Sequence, residues 1–174
     1  MIAQLHGAIE FIGKDHLVVN IGAALGFGLR VYVPSATLAA ASVGRTIDLF
    51  THLQIREDAW TLFGFTSQEE LELFELLIGV SGVGAKTALA TLAAAPPDQL
   101  RNAIAHEQAD VLTRVPGIGP KTAKNIVFHL KDKVGVITLA NGDVHLRISL
   151  TKADELAAYE AIEHRFYEEA AALP

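Results

Sequence analysis

From Ile2 to Phe65 the hydrophobic positions come in short runs. Leu17-Val18-Val19-Asn20-Ile21, Leu29-Arg30-Val31-Tyr32-Val33 and Thr46-Ile47-Asp48-Leu49-Phe50 are separated by glycine-bearing or polar turns. Several of them alternate with the period of two that a half-buried strand requires. Pro34 ends the run before it, Ser35 stands where it could cap a short alanine-rich helix to about Ala41, and Trp60 to Phe65 supplies a last apolar strand. Five or six short strands and one small helix predict a little barrel over residues 1–65, of the OB-fold kind.

The period changes at Ser67. Ser67-Gln68-Glu69-Glu70 has the form of a capping box, and Leu71, Phe74, Leu77 and Ile78 recur at helical spacing. Ala95-Pro96-Pro97-Asp98 breaks one helix and starts another, because proline suits a first helical turn and not an interior. An all-α domain of about five short helices is expected over 66–133. In 134–174, Val134 to Thr138 and Val144 to Ile148 flank a loop, Leu139-Ala140-Asn141-Gly142-Asp143, whose Asn-Gly pair signals a turn, and predict a β-hairpin. Lys152 to Leu173 then sets Leu156, Tyr159, Ile162, Phe166, Ala170 and Leu173 on one helical stripe. The expected class is α+β: a barrel, an all-α domain, then a hairpin with one amphipathic helix.

Composition narrows the chemistry. With 51% hydrophobic and 20% charged residues among 174, the chain is globular, with one good core or two small ones. No uncharged apolar stretch approaches the roughly 18 residues that span a bilayer, and Met1 to Gly7 has no basic-then-apolar start, so a cytoplasmic protein is expected. The absence of cysteine excludes disulfides, thiol nucleophiles and thiolate zinc sites. None of the seven histidines pairs with another at i,i+4, so surface or core histidine is the reading, and neither metal nor cofactor is expected.

The net charge of −6 argues against coating nucleic acid by bulk electrostatics. Its distribution changes that picture. Residues 150–174 carry two basic and six acidic side chains, whereas within 112–133 Arg114, Lys121, Lys124, Lys131 and Lys133 meet only Asp132. The same region holds half of an internal repeat. Val80-Ser81-Gly82-Val83-Gly84-Ala85-Lys86-Thr87-Ala88 matches Val115-Pro116-Gly117-Ile118-Gly119-Pro120-Lys121-Thr122-Ala123.

In each copy a helix must end, turn sharply and restart, and the glycines supply the backbone angles and bare surface for a close approach. With Val83 or Ile118 anchoring the turn, the N–H groups of the turn and of the next helix point outward, where a phosphate oxygen can accept them. Lys86, Lys121 and Lys124 add charge. Such a grip holds the DNA backbone and reads no sequence. The DNA-binding residues expected are thus Ser81, Gly82, Val83, Gly84, Lys86 and Thr87, with Gly117, Ile118, Gly119, Lys121, Thr122 and Lys124. A single Gly-x-Gly would be better read as a turn packing two helices; two matching copies point to nucleic acid.

These hairpins follow Thr51-His52-Leu53-Gln54-Ile55-Arg56-Glu57-Asp58-Ala59-Trp60-Thr61-Leu62-Phe63-Gly64-Phe65 and a Met-Ile-x-x-Leu-x-Gly start. In that order the motifs resemble the RuvA family, DNA-binding subunits of the Holliday junction branch-migration complex, over residues 1–133. The resemblance implies an OB-fold followed by a tandem helix-hairpin-helix domain, assembled as a homotetramer, one or two per open four-way junction. It also implies an acidic pin, placed here at Glu57 and Asp58, and a partner ATPase, RuvB, so that the chain has no catalytic site of its own. Carboxylates facing a crossover would repel phosphates and hold the strands apart. After Lys133 the sequence departs from the family, which usually ends in a linker and a small three-helix RuvB-contacting domain.

Two other classes compete. Helix-hairpin-helix DNA glycosylases share Pro-Gly-Ile-Gly-x-Lys-Thr-Ala and use the lysine matching Lys121 as nucleophile. They also need a downstream aspartate, and Asp132 and Asp143 lack the expected surroundings. Metal-dependent cleavage lacks a carboxylate cluster, and Gly82 to Thr87 lacks the spacing of a nucleotide-binding loop. The other class, a generic DNA-binding scaffold, would need neither the acidic turn nor a tetramer, and junction selectivity separates it from the RuvA reading.

Overall fold

The computed structural model describes residues 2–22 and 26–134, together with the backbone of 138–140 and 143–145. The first strand, β1 (Gln4–Ile12), turns alternate residues inward, burying Leu5, Gly7 and Ile9. A side chain cannot stand at Gly7, because a Cβ there would lie 2.1 Å from the Asn20 carbonyl oxygen of the next strand. Strand β2 (His16–Asn20) pairs with β1 and with β3 (Gly28–Tyr32). After the short helix α1 (Ser35–Ala40), β4 (Thr46–Ile55) returns along β1, and β5 (Trp60–Phe65) runs antiparallel to β4 and parallel to β3.

The sheet closes in the order β1-β2-β3-β5-β4, the strand order of an OB-fold barrel. Leu5, Ile9, Leu17, Val19, Val31, Leu49 and Leu62 fill it. Closure of the sheet removes the exposed strand edges that would otherwise pair with other chains. Two details differ from the expectation. Ser35 is the first helical residue and makes no capping bond, with Pro34 at the N-cap. Strand β4 runs five residues beyond Phe50, because Leu53 still packs against the barrel core after the run from Thr46 to Phe50 has ended.

Helix α2 (Gln68–Ile78) begins where the capping box indicates: Ser67 Oγ accepts the Glu70 N–H at 3.2 Å. The return arm is displaced by one residue, the Glu70 carboxylate accepting from the N–H and hydroxyl of Thr66 instead of from Ser67. Four more helices follow, α3 (Ala85–Ala94), α4 (Pro97–Ala105), α5 (Ala109–Leu112) and α6 (Pro120–Leu130). Their core is continuous with one outer face of the barrel. Phe63 and Phe65 point away from the barrel interior onto Phe74 of α2, with ring centres 5.1 and 4.8 Å apart, and His52 meets the same ring and reaches Glu75 at 2.9 Å. Barrel and helices are therefore joined by aromatic packing, which fixes the platform that carries the hairpins.

Val134, expected to open the terminal hairpin, is instead buried in the helical core. The hairpin itself forms closer to the Asn-Gly signal, as β6 (Thr138–Ala140) and β7 (Asp143–His145), with Ala140 opposite Asp143. Leu139, Ala140 and Asp143 thus belong to its strands and not to its loop. The helix expected over 152–173 lies outside the described residues, as does part of the loop over Gly22 to Gly28.

Candidate nucleic-acid interface

The first repeat builds a hairpin between α2 and α3. Gly79 closes α2, and a four-residue turn from Val80 to Val83 follows, closed by the Val83 N–H on the Val80 carbonyl at 3.0 Å. Gly82 occupies the third position with φ +90°, a conformation that side-chain-bearing residues seldom adopt. Gly84 then caps α3 in an extended conformation, and its carbonyl accepts the Ala88 N–H at 2.9 Å.

The second repeat does the same between α5 and α6. Ile118 N–H meets the Val115 carbonyl at 3.0 Å, Gly117 has φ +91°, and Gly119 caps α6 while accepting from Ala123 at 2.9 Å. Two stretches of chain that share no residue thus take the same backbone path, as the repeat predicts. Val83 and Ile118 are both buried in the helical core and anchor their turns.

The start of each second helix carries the chemistry. Its first N–H groups have no acceptor within the helix, and neither glycine cap can supply one from a side chain. In α3 these donors belong to Ala85, Lys86 and Thr87; in α6 Pro120 removes one and leaves Lys121 and Thr122. Gly84 and Gly119 have negative φ and open space where a Cβ would stand, so neither backbone strain nor internal packing calls for glycine there. What the missing side chains leave bare is the approach to the donors.

Lys86, Lys121 and Lys124 are exposed beside these turns. Lys131 is engaged elsewhere: its ammonium lies 2.9 Å from a Glu107 carboxylate oxygen, which by hydrogen bonding and then by charge holds it above the usual lysine range. The positive patch is therefore narrower than the count over 112–133 implies, since Glu107 falls outside that window.

The fold brings the two hairpins against each other. Thr87, on α3, sits beside the second turn, where a Cβ on Gly117 would be 3.6 Å from its hydroxyl oxygen. Asn125, on α6, donates from Nδ2 to the Ser81 carbonyl of the first turn at 3.4 Å. Sequence reasoning passed over Asn125 because the contact spans 44 residues and is not part of the repeat.

Glu57 and Asp58 stand apart from this pair, carried by the barrel. They are the exposed central residues of the turn from Arg56 to Ala59, which the Arg56 N–H closes on the Ala59 carbonyl at 2.9 Å. Ile55 and Trp60, opposite each other at its base, continue the inward row of Leu53 and Leu62 but are both exposed, so the turn projects past the filled barrel. Asp132, one of the aspartates that a glycosylase reading would need, is not near Lys121. It comes eleven residues after Lys121, about 16 Å along the axis at a helical rise of about 1.5 Å per residue.

Residues 1–64 match the family described as RuvA N terminal domain, and residues 74–132 match the SAM-like Helix-hairpin-helix tandem. A protein named Holliday junction branch migration complex subunit RuvA, from Herpetosiphon aurantiacus, is 48% identical over 141 residues, which make up 80% of this chain and 70% of that protein. The chain belongs to the RuvA family. RuvA proteins of Chloroflexus aggregans and Symbiobacterium thermophilum are 49% and 46% identical, over 80% and 83% of this chain and 71% and 69% of their own. The barrel and the tandem hairpins, in this order, are thus those of the family. No described helix is long and apolar enough to cross a membrane.

Proposed function

We propose that this RuvA-family chain binds four-way DNA junctions and serves as the recognition subunit of a branch-migration helicase acting in recombination and repair in the cytoplasm. The observation that carries the reading is the duplicated hairpin, in which two uncapped helix starts lie behind bare glycines with a lysine beside each. Each start offers a phosphate its N–H groups and the positive end of a helix dipole. Gly82, Gly84, Gly117 and Gly119 let the backbone approach, Lys86, Lys121 and Lys124 add charge, and Ser81, Thr87 and Thr122 line the turns that Val83 and Ile118 hold in place. A grip of this kind recognises where the backbone runs and is indifferent to sequence.

Preference for a junction over plain duplex needs a second element, which the reading assigns to Glu57 and Asp58. An exposed pair of carboxylates at the end of a projecting turn repels phosphates and disfavours an uninterrupted duplex across it, while the open centre of a four-way junction accommodates it. Four copies around a fourfold axis, a homotetramer or two such rings face to face, would bring one acidic turn per copy to the crossover and two hairpins to each arm. The names of the relatives, Holliday junction branch migration complex subunits, support the junction as the target. The chain itself hydrolyses nothing in this reading, and a RuvB ATPase supplies the motor.

Neutralising the turn tests the division of labour. Glu57→Gln with Asp58→Asn should raise duplex affinity while junction affinity changes less, measured by fluorescence anisotropy at fixed salt. An unchanged ratio of the two affinities would remove the acidic turn from the proposal.

A further inference from the structure

The two hairpins share a geometry but not the means of holding it. In both, the third residue of the closing turn has positive φ and the second does not, which defines a type II turn, distinguished from type I by the orientation of its central peptide. The second hairpin has Pro116 and Gly117 at these positions, the pair that presets this geometry by fixing φ at one residue and permitting positive φ at the next. The first has Ser81 in place of proline, and nothing in its own sequence fixes the central peptide. There the Ser81 carbonyl is held from outside, by Asn125 Nδ2 of α6 at 3.4 Å.

We propose that Asn125 is a positioning residue, which holds the first phosphate grip in the orientation that proline holds in the second. The inference deepens the DNA-binding reading and rests on it for its consequence in affinity, though not for its consequence in geometry. Across a trans peptide the C=O and the next N–H point in opposite directions. Anchoring the Ser81 carbonyl toward α6 therefore turns the Gly82 N–H away from α6. A flipped central peptide would do the reverse and present a carbonyl oxygen, which repels phosphate. One bond thereby both orders a donor and removes a competing acceptor, and it links the first turn to the helix that starts at the second. The residue equivalent to Asn125 in the first repeat is Ala90, so the device exists only where proline is missing.

The test uses full-length Asn125→Ala, Ser81→Pro and the double variant, each checked for an unchanged melting temperature. NMR of the protein without DNA reads the Gly82 amide, and anisotropy reads affinity for a four-way junction. Asn125→Ala should shift the Gly82 resonance and speed its exchange, and weaken junction binding about threefold to tenfold, the range of one hydrogen bond. Adding Ser81→Pro should restore both, because proline replaces the tether. A Gly82 amide that does not respond to Asn125→Ala overturns the proposal whether or not DNA binds. A loss of binding that Ser81→Pro does not restore overturns it too, and would make Asn125 a direct DNA contact. If the amide responds as expected and the wild type binds no DNA, the positioning role stands and the DNA-binding reading fails.

Discussion

The four hairpin glycines separate into two kinds, and the difference can be measured. Gly82 and Gly117 have φ near +90°, where an L side chain is strained, so Gly82→Ala or Gly117→Ala should lower stability by about 1 kcal/mol in thermal or denaturant unfolding. Gly84 and Gly119 have ordinary φ and open space. Alanine there, a poorer N-cap than glycine, should lower the melting temperature only slightly, while DNA affinity falls clearly, because the new methyl groups stand in the phosphate's approach. An unchanged affinity in the alanine variants of Gly84 and Gly119 would mean that these glycines serve the fold alone. In the barrel, Gly7→Ala should cost far more, since the obstructing atom is the Asn20 carbonyl of the paired strand and cannot move aside.

At the level of elements, the seam between barrel and helices is the critical joint. Phe74 is fully buried against Phe63, Phe65 and His52, and Phe74→Ala should destabilise the chain by about 3 to 5 kcal/mol, with barrel and helical signals lost in a single transition. The Lys131–Glu107 pair binds the end of α6 to the α4–α5 connection. A lysine raised above its unfolded value contributes stability below that value and loses it as pH rises through the folded one. The contribution should therefore be present at neutral pH and vanish only at strongly alkaline pH, a difference that a Glu107→Gln control run in parallel would lack.

These elements differed in how readily the sequence disclosed them. The hairpins were legible residue by residue because their requirements are local: glycine where φ is positive, an apolar anchor between, a helix start after. The change of period at Ser67 was legible for the same reason. What escaped notice depended on distant partners. Asn125 meets Ser81 across 44 residues, and Val134 is drawn into the helical core although its neighbours suggest a strand. Trp60 to Phe65 showed a strand but not that Phe63 and Phe65 face the helices while Leu62 faces the barrel, because a strand covered on both sides shows an apolar run and no alternation. Ser35 looked like a cap but follows a proline that occupies the cap position itself.

For the whole molecule, an acidic protein binds DNA in this account through a few placed donors instead of bulk charge. The salt dependence should accordingly be modest for each subunit, with log affinity falling against log salt by about 0.9 for each phosphate neutralised, and Lys86→Ala, Lys121→Ala and Lys124→Ala each reducing the slope by about one. Trp60, the only tryptophan, lies two residues from Asp58 at the base of the acidic turn and is 76% exposed. Its fluorescence should change when a junction is bound and much less with linear duplex.

The most direct measurement is the affinity for a four-way junction and for linear duplex of equal length, at two salt concentrations, for the wild type and a Gly117→Asp, Gly119→Asp variant. The wild type should strongly prefer the junction, a preference retained at the higher salt and abolished by aspartates that fill and charge the second grip. Equal affinity of the wild type for junction and duplex would contradict it.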